Sequence, residues 1–316
     1  MEDQKYFISC DWGTSNFRLR LVETSTLKVM DEIKSGLGIK ALNESYTAVS
    51  ESSRISFFSD YLASQVALLK PNHEAKLIVV SGMASSNIGL EELPYADMPL
   101  DASGKNICAR KIPLNEDKTV LLVSGVKSKD SVMRGEEVQA IGLAENLQSF
   151  NSGRLVLPGT HSKHLTYRSG FFTEMKTYMT GELFDLISSH SILASSILKA
   201  SFTPEREKSF LAGVKDGNEG KLSSALFTIR AKSILYNEPE ENSFYYLSGL
   251  LIGSELSGLN ETEEIIFLSA SEPMFSLYSL ALKSQVPDNR INLLDESELE
   301  FALLKGQRKL MLQHAK

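Results

Sequence analysis

The feature that most constrains this chain occurs twice. A short apolar strand runs directly into a small polar turn containing Gly-Thr, once near the start and once near the middle. Tyr6-Phe7-Ile8-Ser9-Cys10 leads into Asp11-Trp12-Gly13-Thr14-Ser15-Asn16, and Leu155-Val156-Leu157 leads into Pro158-Gly159-Thr160-His161-Ser162-Lys163. Apolar runs this short are the pattern of strands buried in a sheet, and small residues with Gly end them in turns. After the first turn, Phe17, Leu19 and Leu21 alternate with Arg18 and Arg20, which predicts a second strand. A third is expected from Leu27 to Ile33, so the chain opens as a three-stranded meander. After the second turn, residues 163–168 and 171–176 read as a hairpin closed by Ser169-Gly170.

The remaining expectations complete an α/β pattern. A helix is expected over 47–69, strands at Leu77–Val80 and 120–123, and a helix from Glu136 to Leu147 between the halves. Helices follow near 180–189, 204–215, 220–233, 244–257, 273–284 and 297–312, with strands at Ile265–Leu268 and near 290–293. With 316 residues, the chain is long for one domain and suited to two. The expected division is 1–142 and 143–316, with the last helix free to pack back on the first domain. The halves share an outline without a fixed-period repeat, and two such domains favour a ligand site in a cleft between them.

Composition narrows the class. A 42% hydrophobic, 23% charged chain of net charge -7, without long runs of one sign, is globular and disfavours nucleic acid as a partner. Cys10 and Cys108 stand in no Cys-x-x-Cys pair, so neither a zinc site nor a disulfide framework is expected. The opening residues have no signal-peptide character and the apolar stretches are too short for a membrane span, so a soluble cytoplasmic protein is expected.

Several segments carry candidate chemistry. Asp11, at the end of a buried strand, is placed to hold a magnesium ion, and Gly13, Thr14, Ser15 and Asn16 can turn amides and hydroxyls toward phosphate oxygens. The competing reading is a plain hairpin turn. Gly159, Thr160, His161 and Lys163 make the second such turn, where Lys163 can neutralise phosphate charge. Arg134-Gly135-Glu136-Glu137 opens the inter-domain helix; a carboxylate there can take a hydroxyl proton, or can simply favour the helix dipole. The segment Ser81 to Gly89 offers Ser86 and Asn87 to a hydroxylated ligand, or a strand-to-helix turn. Thr180 reads as an N-cap. Gly249 and Gly253, one helical turn apart, signal close helix packing or room for a base or ribose, and Gly258 reads as a left-handed helix stop. Trp12 is as much a packing anchor as a site residue.

Together these segments resemble the 2-keto-3-deoxygalactonokinase (2-dehydro-3-deoxygalactonokinase) family. The resemblance rests on Asp11 to Asn16 with Arg18, Gly82-Met83 through Gly89, Met133 to Glu137 with Gln139, Pro158 to Lys163, Met179 to Leu183, and Leu247 to Gly253, in order along the chain. It implies two ribonuclease-H-like domains of the actin-like ATPase type and transfer of the ATP γ-phosphoryl group to the 6-hydroxyl of 2-dehydro-3-deoxy-D-galactonate in D-galactonate breakdown. ATP and Mg2+ are the implied cofactors, and a sugar acid is the implied partner; a homo-oligomer is left open. Glu136 takes the place of the catalytic acid, with Glu137 as the alternative. Nucleotide contacts fall on the two turns and Gly249, and sugar-acid contacts on Met83, Ser86, Asn87, Arg134, Thr180 and Glu182. One departure stands out: where relatives have a Gly-rich loop touching adenosine, this chain reads Ser269-Ala270-Ser271-Glu272. The rival readings are a kinase for another 2-keto-3-deoxy acid and a non-catalytic sugar-acid sensor.

Overall fold

The computed structural model describes residues 4–49, 53–70 and 74–314. The chain divides into two compact units, one of residues 1–151, 167–175 and 297–316, the other of residues 152–166 and 176–296.

The first unit contains strands β1 (Tyr6–Trp12), β2 (Phe17–Glu23), β3 (Val29–Ser35), β4 (Leu77–Gly82), β5 (Ala96–Asp97), β6 (Leu100–Asp101), β7 (Ala109–Pro113), β8 (Thr119–Val123), β9 (Val126–Lys127) and β10 (Val132–Met133). Its main sheet has the order β3-β2-β1-β4-β8-β7. β1, β2 and β3 form the expected antiparallel meander, and β4 and β8 add in parallel. β1 and β4 lie inside the sheet and are buried almost throughout, which is why both read as continuous apolar runs. Trp12 is fully buried, its ring 5.0 Å from Phe17 and 5.8 Å from Phe58. It is therefore a core residue.

A separate, unexpected helix, α1 (Ile39–Val49), precedes α2 (Arg54–Val66), which is the helix expected over 47–69. The Ser53 hydroxyl accepts the Ser56 amide and caps α2, so a new helix starts there. The third strand begins at Val29 because Leu27 sits in the turn before it with φ +59°. Helix α3 (Glu136–Leu147) has the expected bounds.

The second unit is built on β11 (Ser152–Leu157), β12 (Ser162–Arg168), β13 (Phe171–Tyr178), β14 (Ile265–Ser269) and β15 (Ile291–Leu294). Their order is β13-β12-β11-β14-β15. Both sheets share a core: the first three strands of each half lie in the order 3-2-1 and two later strands add beyond the first, β4 and β8 in one half and β14 and β15 in the other, with β7 extending the first sheet past β8. Residues 167–175, around the Ser169-Gly170 turn, count with the first unit, where Phe171 pairs with Asp101. Both turn residues have positive φ, 45° and 88°, the conformation of a tight hairpin.

Helices α4 (Thr180–His190), α5 (Pro204–Asn218), α6 (Leu222–Tyr236), α7 (Glu240–Leu256) and α8 (Met274–Lys283) belong to the second unit. The long C-terminal helix α9 (Glu296–His314) lies, from Ser297 on, in the first, against α3. Backbone contact without side chains joins both helix pairs. A Cβ on Gly142 would stand 1.8 Å from the Ala302 carbonyl oxygen, and one on Gly306 would stand 2.0 Å from that of Val138. In the second unit, a Cβ on Gly249 would meet the Phe210 oxygen at 2.0 Å and one on Gly253 the Val214 oxygen at 2.2 Å. Gly249 thus serves the packing of α7 on α5. Gly258, at φ +85°, is the left-handed residue after α7.

Gly253→Ala should force α5 and α7 apart and lower stability by about 1–3 kcal/mol. Urea unfolding reads this as a lower midpoint at unchanged slope. A variant within about 0.5 kcal/mol of the parent would contradict the backbone-to-backbone contact.

Candidate active site

The sheet register lines up the first group of polar residues. Asp11 lies opposite Arg18 on β2 and opposite Ser81 on β4, and Arg18 lies opposite Lys34 on β3. Directly paired residues in a sheet share a face. One row therefore carries a carboxyl and two cations across three strands. The turn beyond β1 is closed by the Gly13 amide donating to the Asn16 carbonyl at 2.9 Å. Its other carbonyls are taken by the start of α1: the Ile39 amide donates to Gly13 at 3.0 Å and the Lys40 amide to Thr14 at 3.1 Å. Gly38 makes this approach possible, because a Cβ there would stand 2.4 Å from the Thr14 oxygen. With the Gly13, Thr14 and Asn16 carbonyls occupied, Thr14, Ser15 and Asn16 present exposed polar groups. They line a cavity of about 630 Å³ with Asp11, Gly13, Arg18 and Lys34.

The carboxyls here differ by environment. Burial raises Asp11, Arg18 and Arg20 pull it back down, and Glu136 pushes it up, so Asp11 and Glu136 act on one region. Glu136 is half-buried at the first turn of α3, where its Oε2 accepts the Arg134 amide at 3.0 Å. Glu137 is fully buried and both its oxygens accept the Gly135 amide, at 2.9 and 2.7 Å. Burial first, and then the neighbouring Glu136, push Glu137 up to about 8.

Arg134 donates to the Ser85 carbonyl at 2.6 Å, bonds the Ser85 hydroxyl, and lies over the Tyr95 ring at 4.2 Å. Ser86 is buried with its hydroxyl on the Met83 carbonyl at 2.7 Å; Met83 is half-buried and Asn87 is exposed. Arg54 fixes the end of this segment through the Ile88 carbonyl at 2.9 Å.

In the second unit the same device recurs. The Glu182 amide, in the first turn of α4, donates to the Thr160 carbonyl at 3.1 Å. A Cβ on Gly181 would stand 2.7 Å from the Gly159 oxygen. Gly159 has open space where a Cβ would go, and it donates to the Ser162 hydroxyl at 3.3 Å. His161 is exposed and bonds the Glu182 carboxyl. Lys163 is buried and donates to the His161 carbonyl at 2.7 Å. Thr180 is buried with its hydroxyl on Glu255.

A cavity of about 720 Å³ adjoins this turn, lined by Gly159, Gly181, Phe184, Phe244, Glu272 and Met274 among others. The segment that lacks glycine, Ser269 to Glu272, leads into its wall at Glu272-Pro273. The sequence reading missed Lys34, Tyr95, Glu255 and Tyr278. For Lys34 the alternation along β2 and β3 held the signal; Glu255 stands out as the lone carboxylate in an apolar stretch of α7.

Two α/β units that share a strand core, each with a Gly-Thr turn tied to a helix start and lining a cavity, are the frame on which the family match places the class, an ATP-dependent small-molecule kinase. The chain belongs to the 2-keto-3-deoxy-galactonokinase family, whose model matches residues 11–300. It is 30% identical over 290 residues, covering 89% of this chain and 90% of the other, to a Rhizobium meliloti (strain 1021) protein named "Probable 2-dehydro-3-deoxygalactonokinase DgoK1". It is 29% identical over 287 residues, 88% of this chain and 89% of the other, to the 2-dehydro-3-deoxygalactonokinase of Escherichia coli (strain K12). A Sinorhizobium meliloti protein whose crystal structure is described under the same enzyme name superposes with a TM-score of 0.81 at 28% identity, covering 97% of both chains.

Glu137 makes stability depend on pH. In the unfolded chain its proton leaves near 4.5, whereas the fold retains it up to about 8. Between these values the folded state holds the extra proton, so stability is greatest on the acid side and falls as pH rises, by up to about 1.4 kcal/mol per unit. Glu137→Gln keeps an acceptor for Gly135 and should flatten this slope between pH 5 and 8, roughly the window these values span. Parallel pH profiles of the two proteins would contradict a neutral Glu137.

Proposed function

We propose that this chain transfers the γ-phosphoryl group of ATP to the 6-hydroxyl of 2-dehydro-3-deoxy-D-galactonate, giving the 6-phosphate and ADP, as a step of D-galactonate catabolism. The observation that carries the chemistry is the division of labour between the adjacent carboxyls of α3. Glu137 is sealed in the core, while Glu136 stays half-exposed and acts on Asp11. Glu136 is therefore the base: it takes the proton of the 6-hydroxyl as that oxygen bonds to phosphorus. The bond to the leaving oxygen breaks and ADP departs with its electron pair.

The donor set at Asp11 fits Mg2+. One carboxyl beside a polar, exposed turn is what an ion that keeps its waters and shares phosphate oxygens requires. When bound, Mg2+ supplies charge neutralisation on the phosphates. Thr14, Ser15 and Asn16 of the first turn and Thr160 and His161 of the second offer polar groups to phosphate oxygens, Gly159, whose amide is on Ser162, leaves the room for them, and the buried Lys163 braces the second turn. The cavity beside the second turn is large enough for a nucleoside, and Phe184 and Phe244, packed edge to face, give it an apolar wall for a base. On this reading the second unit serves the nucleotide and the first the sugar acid. Met83, Ser86, Asn87 and Arg134 serve the acid in the first unit. Among the described residues no helix is long and apolar enough to cross a membrane, and the proposed location is the cytoplasm, where MgATP is supplied.

Coupled ADP release with this acid and its gluconate epimer, side by side, tests the assignment. Turnover should favour the galactonate form. Glu136→Gln should lose about 100-fold or more in kcat, with both KM values held within about threefold. Near-normal turnover of that variant would remove Glu136 as the base.

A further inference from the structure

Glu255 lies on α7, 3% exposed, in a run that is otherwise apolar or small, Gly249 to Leu256. A carboxyl taken out of water to this degree is costly unless its oxygens are bonded. Three donors meet it from three elements. His164 of β12 bonds Oε1 through Nε2 at 2.9 Å, Tyr278 of α8 donates to Oε2 at 2.7 Å, and Thr180 at the start of α4 donates to the same oxygen. Each partner touches the second turn or its support. His164 directly follows Lys163. Thr180 begins the helix whose Glu182 amide holds the Thr160 carbonyl.

Tyr278 extends the network to the turn itself. Its hydroxyl lies 3.2 Å from that of Ser162, which accepts the Gly159 amide at 3.3 Å. Because Tyr278 donates to Glu255, Ser162 must donate to Tyr278. The bonds then run in one sense, from the Gly159 amide through Ser162 and Tyr278 to Glu255. Burial, and then the charge of Glu255, push the Tyr278 phenol well above its ordinary range, so it stays a donor.

We propose that Glu255 is a positioning residue for nucleotide phosphate: through Tyr278 and Ser162 it sets the Gly159 amide, and through Thr180 it sets α4 against Thr160, so that the second turn is fixed before the nucleotide arrives. This rests on the reading of that turn as phosphate-binding. Glu255 touches no substrate; it acts on affinity for the nucleotide by keeping the turn in one geometry.

The test separates this role from general support of the fold. Tyr278→Phe keeps the ring in its packing and removes only the link between Ser162 and Glu255. It should raise KM for MgATP and the dissociation constant for MgADP by about tenfold, with the sugar-acid KM and the thermal midpoint nearly unchanged. Glu255→Gln should weaken nucleotide binding at least as much, and the double variant should be no worse than the weaker-binding single, because both cut one chain. The inference is overturned by a Tyr278→Phe enzyme with parental MgADP affinity, by equal loss of both substrates, or by effects that multiply in the double variant. If Glu255→Gln does not fold, Tyr278→Phe and Ser162→Ala carry the same comparison. A parent protein that binds no MgADP in calorimetry overturns the phosphate-binding reading and this inference together; a parent that binds normally beside unaffected variants overturns only this inference.

Discussion

One backbone hydrogen bond recurs in both halves of the chain, and the candidate site depends on it. The Lys40 amide of α1 holds the Thr14 carbonyl, and the Glu182 amide of α4 holds the Thr160 carbonyl, each at 3.1 Å. A turn meant for anions cannot leave its carbonyl oxygens facing them. The free amides at a helix start remove that repulsion and satisfy themselves in the same contact. Gly38 and Gly181 follow from this contact, since a side-chain carbon at either would collide with turn backbone. So does the chain path: in each unit the turn joins the first two strands of a meander laid down in the order 3-2-1, and a later helix comes back to its carbonyl side.

Around the first turn, three carboxyls of similar intrinsic acidity are sorted by surroundings alone. Asp11 is raised by burial and restrained by Arg18 and Arg20, Glu137 is pushed to about 8 by burial, and Glu136 keeps contact with solvent. A buried acid held down by arginines, a neutral structural carboxyl and a solvent-facing carboxyl therefore sit at the end of one central strand and one helix start, as the proposed division into metal-facing acid, support and base requires. In the second unit the buried carboxyl, Glu255, is treated differently, with three hydrogen-bond donors on it.

What was legible in the sequence was what is local. The central strands and the two Gly-Thr turns are contiguous segments whose burial shows as apolar runs, and α3 was bounded correctly because its acidic first turn marks its start. Helix α1 was not read: the glycines before it look like loop, and the reason for Gly38 lies in Thr14, far away in sequence. Lys34 joins the site only through strand register, and Tyr95 only because Arg134 reaches back over it. Gly249 shows the converse limit, since one spacing suits both a ligand and a packed helix, and the packing shows only in the Phe210 carbonyl against it. The kinase reading came from the resemblance carried by the ordered motifs, and the family match over residues 11–300 supports it.

The most direct measurement of the central claim is phosphorus NMR of the protein incubated with MgATP and 2-dehydro-3-deoxy-D-galactonate. The account predicts loss of the γ-phosphate signal and growth of a phosphate monoester split by the C6 methylene protons, in step with ADP. ADP appearing with inorganic phosphate alone, or a monoester coupled to a ring or chain CH, would contradict transfer to the 6-hydroxyl.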